Sequence, residues 1–93
     1  MAFLSHQQIA TTAAVKTVSD LTVPAEASHA QLQSGTQDMR YTMDGSSAPA
    51  QAVGMVLKVG LAPETFLIED IRNIKFVRGA GSNGVVDIHY FGG

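Results

Sequence analysis

The sequence predicts an all-β domain: a small antiparallel β-sandwich of seven or eight strands, jelly-roll or immunoglobulin-like, with an extended N-terminal arm. Two observations carry this. Apolar residues recur at every second position or in short blocks, not at the three- and four-residue spacing of an amphipathic helix. Turn-forming residues then punctuate the chain at roughly 8–12 residue intervals, the rhythm of a sandwich or partly closed barrel. Strand order is invisible to periodicity, so both sandwich topologies stay open.

Residues 1–12 lie outside this rhythm and read as an arm of the kind that crosses a neighbouring subunit; residues 13–93 form the sandwich domain. AAVKTVSDLTV (13–23) mixes β-branched residues with Ser19-Asp20 and predicts two short strands, the second ended by Pro24. SHAQLQ (28–33) alternates Ala30 and Leu32 against His29, Gln31 and Gln33, one face buried and the other wet. DMRYTM (38–43) places Met39, Tyr41 and Met43 on one side and leads into the turn Asp44-Gly45. AVGMVLKVG (52–60) is an apolar strand whose Gly54 signals a bulge or a close backbone approach. ETFLIE (64–69) and IRNIKFVR (71–78) read as strands about a solvated Glu69-Asp70 turn. In the second, Ile74 and Phe76 share a face opposite Asn73, Lys75 and Val77. GAGSNG (79–84) then turns into VVDIHYF (85–91), predicting a hairpin.

Composition narrows the function. A 93-residue chain buries only about two-thirds of the surface it exposes unfolded, so its core is modest. Charged residues are 15%, against roughly 25% in an average domain, which predicts that some low-charge surface meets another protein. The net charge is −2, and Lys16, Arg40, Lys58, Arg72, Lys75 and Arg78 are scattered, so no basic stripe for nucleic acid is expected. No run approaches the 18 or so apolar residues of a membrane span, and the opening residues lack the basic start of a cleaved signal. The absence of cysteine removes disulfides and thiolate metal sites.

Candidate chemistry is sparse. His6, His29 and His89 have no ligand spacing along the chain, and no cofactor or metal site is expected. Glu64, Glu69, Asp70 and Asp87 are the carboxylates nearest the last strands, and nothing in their spacing demands an acid–base pair. GAGSNG lacks the Lys-Ser/Thr of a phosphate loop and opens no helix. No G-x-S-x-G is present, and catalytic residues are not expected. Tyr41 and Tyr90 are the candidates for an exposed sugar-binding platform.

The stretch MRYTMDGSSAPAQAVGMVLKVG, followed by IEDIRNIKFVRGAGSNGVVDIHYF, resembles a recurring class of small bacteriophage virion proteins over residues 21–91. Arg40, Asp44, Gly45, Gly54 and Met55 stand where that pattern has an Arg-led strand, an Asp-Gly turn and a Gly-Met entry, and Pro49 stands one residue later than in the pattern. The resemblance implies a non-enzymatic structural part of the particle. The expected role is a capsid decoration protein on the capsid surface, binding the major capsid protein and itself as a homotrimer at three-fold sites. The alternative is a tail or head-fibre component that binds a host glycan. Partner contacts are expected from Phe3, Leu4 and Ile9 in the arm and from the loop carrying Asp44, Gly45 and Pro49.

Overall fold

The structure, a computed structural model, describes residues 2–46, 48–50, 53–79 and 81–93. Expectations touching Met1 (arm), Ser47 and Gln51 (loop after Asp44), Ala52 (head of the 52–60 strand) and Ala80 (Gly-rich loop) lie outside the described residues. The described strands are β1 (Ala2–Thr11), β2 (Lys16–Thr17), β3 (Ala27–Ser34), β4 (Met39–Thr42), β5 (Met55–Leu57), β6 (Glu64–Leu67), β7 (Lys75–Arg78) and β8 (Gly84–Gly92). A 3-10 turn, Val18–Asp20, and a single helical turn, α1 (Ile68–Ile71), interrupt them.

Two four-stranded antiparallel sheets result, sheet one in the order β1-β8-β3-β6 and sheet two in the order β2-β7-β4-β5. First pairs with last, second with second-last, and so inward to the β4·β5 hairpin; β8·β3 and β7·β4 are the ladders made when that long hairpin rolls up. This is the order of a jelly roll. An immunoglobulin sandwich keeps the first two strands side by side in one sheet, so the order separates the two predicted topologies.

Alternation puts one face of each strand into the core. β8 contributes Val86, Ile88 and Tyr90, β3 contributes Ala30 and Leu32, and Met39, Tyr41, Phe76 and Leu57 close the layer from sheet two. Tyr41 meets Phe66 edge-on across the two sheets at 5.6 Å between ring centres. Each large apolar side chain sealed here contributes about 1.5–3 kcal/mol.

Four local expectations are corrected. Residues 2–11 are not an arm outside the domain. They form the edge strand of sheet one, paired to β8 from Ala2↔Gly92 to Thr11↔Gly84, and Thr11 is fully buried. The alternation was hidden because three of the four inward residues, Ser5, Gln7 and Thr11, are themselves polar, Gln7 accepting from the Tyr90 hydroxyl at 2.9 Å, and because a bulge between Phe3 and Ser5 breaks the period.

Ser19-Asp20 does not join two strands either. Asp20 Oδ2 accepts from the Thr17 backbone N–H at 2.9 Å and Thr17 Oγ1 from that of Ser19 at 3.3 Å, so the segment closes as a capped 3-10 turn after β2. The strand expected over 71–78 starts only at Lys75. Ile68, Ile71 and Ile74, three residues apart, are all buried and follow a helical turn rather than a strand, while Glu69 and Asp70 are exposed as predicted. Last, β7 and β8 are not a hairpin: they belong to different sheets, and the Gly-rich segment crosses between them.

The β4–β5 connection follows its chemistry. Gly45 takes φ 79° and Asp44 Oδ1 accepts from the Ser46 N–H at 3.0 Å, an Asx turn. At Gly54, φ is 112° and a side-chain carbon would stand 2.8 Å from the Tyr41 carbonyl oxygen, so the close backbone approach is real. Arg40 fastens the return by donating to the Gly54 carbonyl at 2.9 Å.

Candidate functional site

Residues on the outer face of sheet one come from distant parts of the chain. The registers His6↔His89, His89↔Gln31 and Gln31↔Thr65 set one row across the sheet, and Phe3↔Phe91, Phe91↔His29 and His29↔Leu67 set the next. All three histidines therefore share this face, although their chain positions gave no sign of it. His89 is central: its ring lies 5.1 Å from those of both Phe3 and His6, edge-on to each, and 6.4 Å from that of Phe91. Phe3 also meets Phe91 edge-on at 6.0 Å, so the edge strand is tied to β8 by side chains as well as backbone.

A polar strip runs beside this cluster. Asp87 Oδ1 accepts from Gln8 Nε2 at 3.0 Å and lies 3.2 Å from His6 Nε2. Gln31 donates to the Thr65 hydroxyl at 3.2 Å, and Ser28 Oγ lies 2.8 Å from His29 Nδ1. Gln31, Gln33, Pro63, Asp87 and His89 outline an open depression of about 160 Å³. Among the described residues, no three His, Asp or Glu side chains are arranged to hold a metal ion. Glu64 is on β6 against Tyr41, while Glu69 and Asp70 are on α1, so the four carboxylates do not converge.

The sequence-predicted contact residues divide. Phe3 is 56% and Leu4 37% exposed, at the β1 end of sheet one. Ile9 is corrected: it faces inward and packs against the core. Asp44 and Gly45 are exposed in the other sheet's connection, where Gly45 lies against Asn73 and Lys75 donates to the Ser46 carbonyl at 3.1 Å. Pro49 is corrected too, being buried; with Ala13, Ala50, Val77 and Arg78 it lines a second depression of about 160 Å³. The edge-strand residues and the loop thus belong to different sheets and do not form one site.

The tyrosines expected on a sugar-binding platform are core residues, Tyr90 at 0% and Tyr41 at 6% exposure. Burial pushes the Tyr90 hydroxyl up to about 12. Burial, and then the Glu64 carboxylate at 3.4 Å, raise that of Tyr41. The glycan-binding alternative loses the feature that favoured it. The aromatic surface that does exist, Phe3, His89 and Phe91, went unread because Phe3 reaches the other two only across strands, from more than eighty residues away in the chain. Only the alternation Asp87, His89, Phe91 within VVDIHYF signalled a shared outer face.

A second apolar surface follows the edge strand of sheet two, with Val53, Met55, Val59 and Leu61 between 42% and 66% exposed. Searches of protein-family models, curated proteins and solved structures find no match to this chain.

Proposed function

We propose that this is a non-enzymatic structural protein of a bacteriophage particle, a capsid decoration protein that binds the major capsid protein and copies of itself at the capsid surface. The observation that carries the reading is β1: a ten-residue edge strand with no charged residue, bearing exposed Phe3 and Leu4. Edge strands left in solution are ordinarily short, charged or interrupted by proline, because an open row of backbone donors and acceptors recruits other chains. An uncharged edge as long as this one suits a protein whose working state is assembled. The residue-level resemblance to small virion proteins supplies the setting.

The mechanism is adhesion. A protein that binds the closed shell and not its separated subunits stabilises the shell by mass action, and symmetry-related contacts multiply a modest single affinity. Counting copies per particle tests the reading: decoration requires a fixed number per capsomer, and purified protein added to bare shells saturates at that number. A few copies per particle would move the protein to the tail or a head fibre, and none would remove it from the virion.

A further inference from the structure

Among the described residues the two sheets have four edges, and three are guarded. β2 is two residues long and begins with Lys16; β5 has three residues and is followed by Lys58; β6 has four, opens with Glu64 and is preceded by Pro63. These are the usual defences against edge-to-edge pairing. β1 carries neither a charge nor a proline and is long; its one interruption is the bulge between Phe3 and Ser5, which leaves residues 5–11 regular. Its ten residues would span about 33 Å of strand, close to the longest dimension of the molecule, 37 Å. Among the described residues its one ladder partner is β8.

We propose that β1 pairs antiparallel with β1 of a second copy about a two-fold axis at Gln8, joining two four-stranded sheets into one of eight strands. Backbone chemistry fixes the kind of occupant, since an open edge is completed by another extended strand. Three features of the edge select a second copy of this chain. The first is register: after the bulge at Leu4 the regular stretch is residues 5–11, and its midpoint is Gln8. Pairing about that midpoint sets Gln8 opposite Gln8, His6 opposite Ala10, Gln7 opposite Ile9 and Ser5 opposite Thr11, which keeps outward residues against outward and inward against inward.

The second feature is end-to-end complementarity. Phe3 and Leu4, exposed, overhang one end of the regular stretch; Ala13, Ala14 and Val15, also exposed, lie just past the other. The two-fold axis brings one group to the other twice. The third is charge. No Lys, Arg, Asp or Glu lies on β1, and the nearest carboxylate, Asp87, sits one strand back on β8, where it faces His6 of its own chain at 3.2 Å. Its counterpart in the second copy stands three strand spacings away, about 14 Å, beyond the screening length at physiological salt.

Such an interface is isologous: it joins two copies and no more. It goes beyond the proposed function, because it requires a two-fold pair in place of the three-fold cluster expected from shell symmetry and holds whether or not the protein sits on a capsid.

Because the chain has no cysteine, a single introduced thiol reports the geometry directly. Sedimentation equilibrium of the purified chain is expected to give a dimer, and the Gln8→Cys variant to oxidise rapidly to a covalent dimer, with a Lys58→Cys control remaining uncrosslinked. The double change Gln8→Lys and Ala10→Lys, both at exposed positions, is expected to weaken the dimer at least about tenfold while leaving circular dichroism unchanged. A strictly monomeric protein, a trimer, or a dimer whose Gln8→Cys form crosslinks no faster than the control would overturn the proposal. Those results leave the capsid reading to the copy count.

Discussion

The two sheets divide the work of the molecule unequally. Sheet one is built from strands of ten, nine, eight and four residues, and its outer face carries Phe3, His6, His29, His89 and Phe91. Sheet two is built from strands of two, four, four and three residues, separated by the longer loops. Both close the same core, yet only sheet one offers a long regular edge and a continuous outer face. Sheet two is the cover that makes that face stiff, and its brevity leaves its own edges guarded. A surface for assembly needs a rigid backing more than it needs a deep site.

The comparison breaks most sharply at the centre of sheet one. Ile88 is 1% exposed between both layers, so Ile88→Ala is expected to destabilise the fold by about 2–5 kcal/mol. Leu57, in the same core from β5 of sheet two and 3% exposed, loses as many carbons on the same change but stands on an edge strand, and is expected to cost less. Parallel urea titrations of the two variants measure the difference; equal losses would make the sheets equivalent.

Alkaline pH probes the same layer. Tyr90 has a folded pKa of about 12 against an ordinary value of 10.0. Its neutral hydroxyl therefore contributes stability that is fully present below pH 10 and is lost as pH rises from 10 to 12, on the order of 2 kcal/mol. A spectrophotometric phenolate titration is expected to show Tyr90 ionising only near the upper limit, while Tyr90→Phe flattens that part of the stability profile.

A smaller effect belongs to the entrance of sheet two. Removing the Asp20 carboxylate with Asp20→Ala frees the Thr17 backbone N–H and is expected to cost about 1 kcal/mol, read from the thermal midpoint. The smallest effect sharpens the functional side of the contrast. Phe3→Ala removes a partly exposed ring that also meets His89 and Phe91, and is expected to cost about 0.5–1 kcal/mol of folding stability while lowering occupancy on shells. Unchanged occupancy would detach Phe3 from assembly.

What was legible in the sequence divides along the same physical line. β3, β4 and β8 read clearly because each buries one face and wets the other, as in Leu32 against Gln31 or Ile88 against His89. The β4–β5 hairpin was legible from Asp44-Gly45 and from Gly54, whose backbone geometry no other residue adopts easily. β1 was not, since Gln7 faces inward to satisfy the Tyr90 hydroxyl and so breaks the apolar rhythm. The false β7–β8 hairpin has another cause: a Gly-rich loop that turns within a sheet looks the same in sequence as one that crosses between sheets. The outer-face cluster was hidden by topology, because partners in a rolled hairpin are separated by nearly the whole chain.

That rolled hairpin also orders events in time. β4 and β5 are the nearest partners along the chain and lose the least loop entropy on meeting, whereas β1 and β8 join positions such as Ala2 and Gly92. Folding is expected to zip outward from the inner hairpin, with β1 the last strand laid down; pulse-labelling hydrogen exchange during refolding would show its amides gaining protection after those of β4. Until β1 is laid down, β8 is itself the open edge of sheet one, so a chain still folding exposes nine residues of strand to the β1 of another chain, and exchange of β1 between copies is the expected hazard of refolding at high concentration.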